Sequence, residues 1–201
     1  GDVYKRQALD KKLMFKALNE AKRGIPYVYP NPAVGCVIYD GSKILSTGYH
    51  KKFGEIHAEH EAIKNLDEMV KGLTMYVSLE PCTHTGKTGA CLDLIDPEVF
   101  DRVVIAEKDP NSEASGSIEK LKKRGIKVDL GLLKHEARRL NKRFYVFHEK
   151  KRPYVILKYA STLDGFVAQE NGYSKWITNE KSRKENHYTR SICDAILIGS
   201  N

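Results

Sequence analysis

The sequence predicts an α/β protein. A three-layer α/β/α domain is expected over residues 1–150, and the N-terminal part of a second α/β domain over residues 151–201. Three observations carry this reading. The run 33–39, the turn Asp40-Gly41-Ser42 and the run 43–49 spell a β-hairpin. Beyond it, apolar runs of strand length alternate with stretches of helical period. At Lys151-Arg152-Pro153 the composition breaks and a new strand–turn–strand pattern begins.

Taken in order, residues 1–6 show neither an initiator Met nor a pattern, which leaves open that they are non-native. Ala8, Leu9, Leu13, Met14, Ala17, Leu18 and Ala21 share one face of a helix expected over 7–23, with Gly24 as its stop. Tyr29-Pro30-Asn31-Pro32 is too proline-rich for regular structure and reads as a loop. The β-branched run of 33–39 makes the first hairpin strand, with Cys36 as a buried thiol. A helix is expected over 57–70 and a strand over 73–79. Glu80-Pro81-Cys82 follows as a strand-to-helix turn, Pro81 suiting a helix's first turn. Short helices (92–95, 117–124), strands (102–106, 126–130) and one long helix (136–150) complete the first domain. In the second, strands are expected at 154–160, 166–168 and 195–198, and a helix at 180–191.

Composition narrows the class. The chain has 201 residues, 41% hydrophobic and 30% charged, which suits a globular protein. No apolar run approaches the ~20 residues of a membrane span, and no export leader is present. Four scattered cysteines (36, 82, 91, 193) do not make a disulfide framework, and a reducing cytoplasm is their simplest home. The formal charge of +8 could serve an anionic partner. The basic runs 120–124 and 134–152 read better as solvated helix faces, because aromatic residues do not interleave with them. No nucleic acid is therefore expected as a partner. Apolar surface on the short second domain suggests a homo-oligomer.

The chemistry lies between residues 57 and 91. His57-Ala58-Glu59 is followed by Glu80-Pro81-Cys82 and, after eight residues, by Cys91. One imidazole and two thiolates form a three-ligand Zn²⁺ set whose fourth position is open to water. A closed structural site would want a fourth protein ligand, and none stands at an obvious spacing. The pattern is that of the zinc-dependent nucleobase deaminases. Metal coordination brings the water's pKa toward neutrality, and the resulting hydroxide attacks the ring carbon. Glu59 is the expected proton shuttle from that water to a ring nitrogen and then to departing ammonia. A helix N-terminus at Cys82 would favour its thiolate. Cytidine and nucleic-acid deaminases separate their two cysteines by two residues. The longer loop here carries His84 and Lys87, placed to grip a phosphate, although a solvated basic loop is the plainer alternative.

With these residues in view, the chain resembles the bifunctional riboflavin-biosynthesis deaminase–reductase family. The resemblance rests on residues 31–38 (Asn-Pro-Ala-Val-Gly-Cys-Val-Ile), His57-Ala58-Glu59, Glu80-Pro81-Cys82-Thr83-His84 and Gly86-Lys87-Thr88. It continues through Asp109-Pro110-Asn111, Leu140-Asn141-Lys142-Arg143-Phe144, Arg152-Pro153-Tyr154-Val155, Leu163-Asp164-Gly165 and Trp176-Ile177-Thr178. It implies a cytidine-deaminase-like first domain acting on 2,5-diamino-6-(ribosylamino)-4(3H)-pyrimidinone 5′-phosphate. Asn31, His50, His84 and Lys87 match the family's substrate-contact positions. It also implies the start of a dihydrofolate-reductase-like domain. There Ala160 and Trp176 match NADPH contacts, and Ser174 and Arg190 match contacts to the substrate's ribose phosphate. The family's second half is about as long as its first, so reduction is not expected from this chain alone.

Three departures from the family pattern carry expectations of their own. Glu61, in place of a neutral amide, is expected to weaken binding of an anionic substrate. Gly89-Ala90, in place of Pro-Pro, is expected to loosen Cys91. Segment 111–117 lacks a Lys that could cost a phosphate contact. Two other readings compete with the nucleotide deaminase, namely a tRNA-type or free-base deaminase and a catalytically dead zinc-binding module.

Overall fold

The computed structural model describes residues 2–84 and 89–199. Its frame is the predicted hairpin, β1 (Gly35–Tyr39) and β2 (Ile44–Tyr49), paired antiparallel. The turn closes because the Asp40 carboxylate accepts the N–H groups of Ser42 (2.7 Å) and Lys43 (2.8 Å), an Asx-type turn. β3 (Leu73–Val77) pairs antiparallel with β1, and β4 (Phe100–Ile105) and β5 (Lys127–Leu130) add in parallel. The sheet is mixed and five-stranded, in the order β2-β1-β3-β4-β5.

Strand periodicity sorts side chains onto two faces. Cys36, Ile38, Met75, Val77, Val103 and Ile105 face a core closed by α2 (Ala58–Lys64), α3 (Cys91–Leu94) and α4 (Ser117–Lys123). The intervening Val37, Tyr76 and Val104 face the opposite core, closed by α1 (Asp2–Lys22) and α5 (Lys134–Leu140). Three layers result, as the alternation of elements predicts.

Two glycines let the helices sit close. A Cβ on Gly35 would lie 2.0 Å from the Ala17 carbonyl oxygen on α1, and one on Gly48 would lie 2.3 Å from that of Ala58 on α2. Both neighbours are backbone and cannot swing aside. Because α2 carries Glu59 and begins beside His57, Gly48→Ala should cost roughly 1–3 kcal/mol by overpacking and weaken zinc binding. A denaturant midpoint and a zinc titration check this together, and unchanged zinc affinity would separate the packing from the site.

Several expected bounds are corrected. α1 starts at Asp2, so the helix takes in the segment that shows no pattern. α2 stops at Lys64, with Asn65 as its C-cap and the Asn65 side chain donating to the Thr47 carbonyl. Met69 and Val70 lie beyond it and are exposed, so their apolar spacing was not a helix face. The long helix expected to 150 is two, α5 and α6 (Lys142–Lys150), broken at Asn141. That residue's Oδ1 accepts the Ala33 N–H and its Nδ2 donates to the Ala33 carbonyl, both at 2.8 Å. A contact 108 residues away in sequence thus sets the break.

Residues 155–201 form a second unit. Its described part holds α7 (Glu180–Ser191), N-capped by Asn179, whose Oδ1 accepts the Ser182 N–H. The strands expected at 154–160, 166–168 and 195–198 are not formed among the described residues. Val155, Leu157, Leu197 and Ile198 are mostly exposed. A strand needs a neighbouring strand for its backbone groups, and among the described residues none of these segments pairs with one.

Candidate metal and active site

The site gathers at one end of the sheet, from the start of α2, the loop after β3 and the start of α3. His57 is the N-cap of α2, Glu59 lies in its first turn, Cys82 lies in the loop after β3, and Cys91 opens α3. The expected helix at Cys82 is absent: it is Cys91, nine residues on, that stands at a helix start. The Cys82 loop is held by backbone bonds instead. Its carbonyl accepts the Leu92 N–H (3.1 Å) and Thr83 N–H donates to the Ala114 carbonyl (2.9 Å). The Cys91 N–H donates to Cys82 Sγ at 3.4 Å, which ties the residue after Gly89-Ala90 to the Cys82 loop.

The donor atoms of His57, Cys82 and Cys91 all lie within 4.8 Å of one another, and this is the cluster of that kind among the described residues. His57 Nδ1 sits 3.3 Å from Cys91 Sγ and 3.5 Å from Cys82 Sγ. The neighbouring Cys91 thiol, then His57, hold the Cys82 thiol well below its ordinary pKa against the opposing effect of burial. Cys91 is pushed the other way, by Cys82 and by burial. Two buried sulfurs beside one imidazole therefore give up one proton readily and keep the second, a conflict that a divalent cation removes. The donor set fits Zn²⁺. Glu59 is 3% exposed, and burial pushes its carboxyl above the ordinary range. It can carry a proton where an exposed glutamate would not.

A cavity of about 250 Å³ opens on this set. Asn31, His50, His57, Glu59, Cys82 and His84 line it, so six of the residues singled out by sequence share one enclosure. Lys87 lies outside the described residues. The size suits a small heterocyclic compound, slightly below the ~300–1,000 Å³ usual for ligand pockets.

Other lining residues were not singled out as site residues. Asp109, Asn111, Phe144 and His148 also line the cavity. Asp109-Pro110-Asn111 was visible only as a point of family resemblance, and nothing local distinguishes it from a surface turn. Burial first, with Glu80 adding, pushes the Asp109 carboxyl up to about 6. Glu80 is a buried bracket: Oε1 accepts the Gly116 N–H (2.8 Å) and Oε2 accepts that of Asp109 (3.2 Å). The segment 111–117 therefore spends its backbone donor at Gly116 on Glu80.

Glu61 corrects the expectation drawn from its charge. It does not line the cavity. Its Oε2 accepts the Tyr49 N–H at 2.8 Å and its Oε1 pairs with Lys51 at 2.5 Å. Its charge is matched within the protein. Glu61→Gln should accordingly leave the KM for an anionic substrate within about twofold, while costing roughly 1 kcal/mol of stability. A KM reduced tenfold or more by this change would restore the unfavourable role.

In the second unit, Ser174 and Arg190 are exposed and Ala160 is half-buried. Trp176 is 70% exposed, with the Arg183 guanidinium 4.5 Å from its ring centroid. The described residues of this unit do not by themselves enclose a dinucleotide.

The comparisons come from three directions. A family model described as the cytidine and deoxycytidylate deaminase zinc-binding region matches residues 7–107, and a RibD C-terminal domain model matches residues 153–201. The riboflavin biosynthesis protein RibD of Aquifex aeolicus is 47% identical over 194 residues, covering 96% of this chain and 54% of that protein. The crystal structure of a diaminohydroxyphosphoribosylaminopyrimidine deaminase/5-amino-6-(5-phosphoribosylamino)uracil reductase from Thermotoga maritima is 42% identical. It matches with a TM-score of 0.88, over 93% of this chain and 54% of that one. Acinetobacter baumannii RibD is 39% identical with a TM-score of 0.86, over 92% and 52% of the two chains. The chain spans about half the length of these relatives. No helix among the described residues is long and apolar enough to cross a membrane.

Proposed function

Since the chain belongs to the cytidine and deoxycytidylate deaminase zinc-binding family and, within it, to the RibD proteins of riboflavin biosynthesis, we propose that it is a zinc-dependent deaminase of a pyrimidine ribotide. The substrate is 2,5-diamino-6-(ribosylamino)-4(3H)-pyrimidinone 5′-phosphate, whose 2-amino group leaves as ammonia. One observation carries the reading: His57, Glu59 and Cys82 line one cavity of heterocycle size, and the Cys91 sulfur lies within 4.8 Å of the donor atoms of His57 and Cys82.

His57, Cys82 and Cys91 hold the metal. Bound Zn²⁺ supplies Lewis-acid activation of water at neutral pH. The protein's own part is proton handling and grip. Glu59 accepts the proton as water adds to the ring carbon and passes it to the adjacent ring nitrogen. It then takes the proton of the added hydroxyl and delivers it to the amine as the C–N bond breaks, leaving a ring carbonyl and ammonia. Asn31 binds the substrate, and His84 and Lys87 hold its phosphate. Residues 1–150 make the deaminase domain and residues 151–201 the opening of a reductase domain. In a complete relative, Ala160 and Trp176 would face NADPH, and Ser174 and Arg190 the ribose phosphate. A small-molecule substrate and a cytoplasmic setting belong to the same proposal.

The test is ammonia release from the ribotide by zinc-loaded protein. Turnover that a chelator abolishes and added zinc restores is the expected result. A protein that holds one zinc per chain and releases no ammonia from the ribotide would overturn the reading.

A further inference from the structure

Helix α6 turns one face to the cavity, and that face is held firmly. Asn141, Phe144, Tyr145 and His148 recur at the three- and four-residue spacing of a single helix face. Asn141 pins the start of the helix to the Ala33 peptide through two bonds of 2.8 Å. Tyr145 is buried, its hydroxyl donates to the Lys108 carbonyl at 3.4 Å, and the Arg138 guanidinium lies 4.3 Å from its ring centroid. The helix is thus tied both to the loop before β1 and to the loop after β4. Phe144 and His148, one turn apart, line the cavity. Their ring centroids are 4.5 Å apart, and Phe147 stands edge-on to the imidazole at 5.2 Å.

What this wall lacks is a partner for His148. Among the described residues neither of its ring nitrogens hydrogen-bonds to the protein. Burial first, then Lys151, lowers its pKa from the ordinary 6.5, against the opposing effect of Glu113. At neutral pH the ring is therefore uncharged, with one N–H and one bare nitrogen. That pair suits a hydroxyl, which both accepts and donates, better than it suits an anion. The Glu113 carboxylate also disfavours a phosphate at the same place. None of the metal donors is among the charges that act on His148.

We propose that His148 recognises the sugar of the substrate, its imidazole hydrogen-bonding a ribose hydroxyl while Phe144 holds the ring in place. This rests on the deaminase reading above and deepens it, because it assigns the sugar to one residue on α6. A substrate whose amino carbon must reach the metal donors turns its ribosylamino arm, not its amino group, toward a residue on which those donors do not act. An aromatic wall carrying one polar group that the protein leaves unmatched is a common construction of ligand pockets. The consequence is selection: a ribosylated pyrimidine satisfies His148, and the free base does not.

The test uses zinc-loaded protein and three molecules: the ribotide as substrate, ribose 5-phosphate as a competitor with the sugar alone, and the free pyrimidine base as a competitor without it. His148→Leu fills similar space without either nitrogen, and His148→Gln keeps a donor and an acceptor. His148→Leu should raise the KM of the ribotide and the inhibition constant of ribose 5-phosphate roughly 3- to 10-fold each, the loss expected for one neutral hydrogen bond. The inhibition constant of the free base and the zinc content should not move, and His148→Gln should recover most of the loss. An equal loss for the free base, or no loss for the sugar phosphate, would overturn the proposal. Nitrogen-15 NMR of the histidine rings reads the contact without turnover. The His148 nitrogens should shift on addition of ribose 5-phosphate and stay in place with inorganic phosphate. A His148 signal that ribose 5-phosphate leaves unmoved, or that phosphate moves as far, would overturn the assignment. If the wild-type protein releases no ammonia, the deaminase reading falls, and the NMR titration still decides whether His148 meets a sugar.

Discussion

Replacing Glu59 by Gln is expected to lower ammonia release about 10³-fold, in the middle of the 10²–10⁴ that positioned proton transfer contributes, while one zinc stays bound per chain. Gln is nearly isosteric, so the buried pocket at Glu59 should remain filled and α2 should keep its place. What is lost is a group that can take and return a proton. Glu59 stands outside the His57–Cys82–Cys91 donor set, so metal affinity should change little. Rates and zinc content measured on the same preparation decide the matter. Activity within tenfold of the wild type would show that the proton travels elsewhere. Zinc loss would show that Glu59 supports the metal rather than the chemistry.

The second large effect concerns stability and lies on the opposite face of the sheet. Arg102 on β4 is 9% exposed. Its Nη1 and Nη2 donate to the two carboxylate oxygens of Asp10 on α1, at 2.9 and 2.7 Å, and its Nε donates to Asp129 on β5 at 2.5 Å. The Tyr76 hydroxyl donates to the same Asp10 at 2.5 Å. Asp10→Asn should cost about 3–5 kcal/mol, since it leaves a buried guanidinium short of its main counter-charge. The double change Asp10→Asn with Arg102→Met should recover much of this, because an apolar side chain needs no counter-charge. A loss below about 1 kcal/mol for the single variant, read from denaturant unfolding, would mean that Asp129 alone satisfies Arg102.

This network also predicts an acid limb. Burial would raise the Asp10 carboxyl, but the hydrogen bonds from Arg102 and Tyr76 outweigh it and the net shift is downward from 3.8. A carboxylate with a folded pKa below its unfolded value contributes stability in full above the unfolded value. That contribution is lost as pH falls through the folded value. Wild-type stability should therefore drop below about pH 4 more steeply than that of Asp10→Asn, in which the group is absent. Parallel acid limbs for the two proteins would contradict this.

Much of the site was legible without coordinates because its chemistry fixes residue types. An open zinc set needs an imidazole and two thiols, and its proton carrier must sit beside them, so His57, Glu59, Cys82 and Cys91 stand out by type and order. Asp109, Asn111, Phe144 and His148 carry no such mark. They belong to loops and a helix face that meet the cavity only after folding. Glu61 misleads for the same reason: its charge is plain in sequence, whereas its partners, the Tyr49 N–H and Lys51, come from a different strand end.

The sequence by itself determined the alternation of strands and helices in the first domain, the hairpin and its turn, and the residue types of the candidate metal donor set. These depend on local period and on residue chemistry, both of which are written along the chain. Only the tertiary structure decided where α2 ends, where the helix beyond residue 134 breaks and which cysteine opens a helix. It also decided that the expected strands of the second unit stay unpaired among the described residues, and that the Asn31 amide meets His50. Each of these depends on a partner far away in sequence, from Ala33 for Asn141 to His50 for Asn31. Hydrogen bonds and burial choose such partners only once the sheet has brought them together.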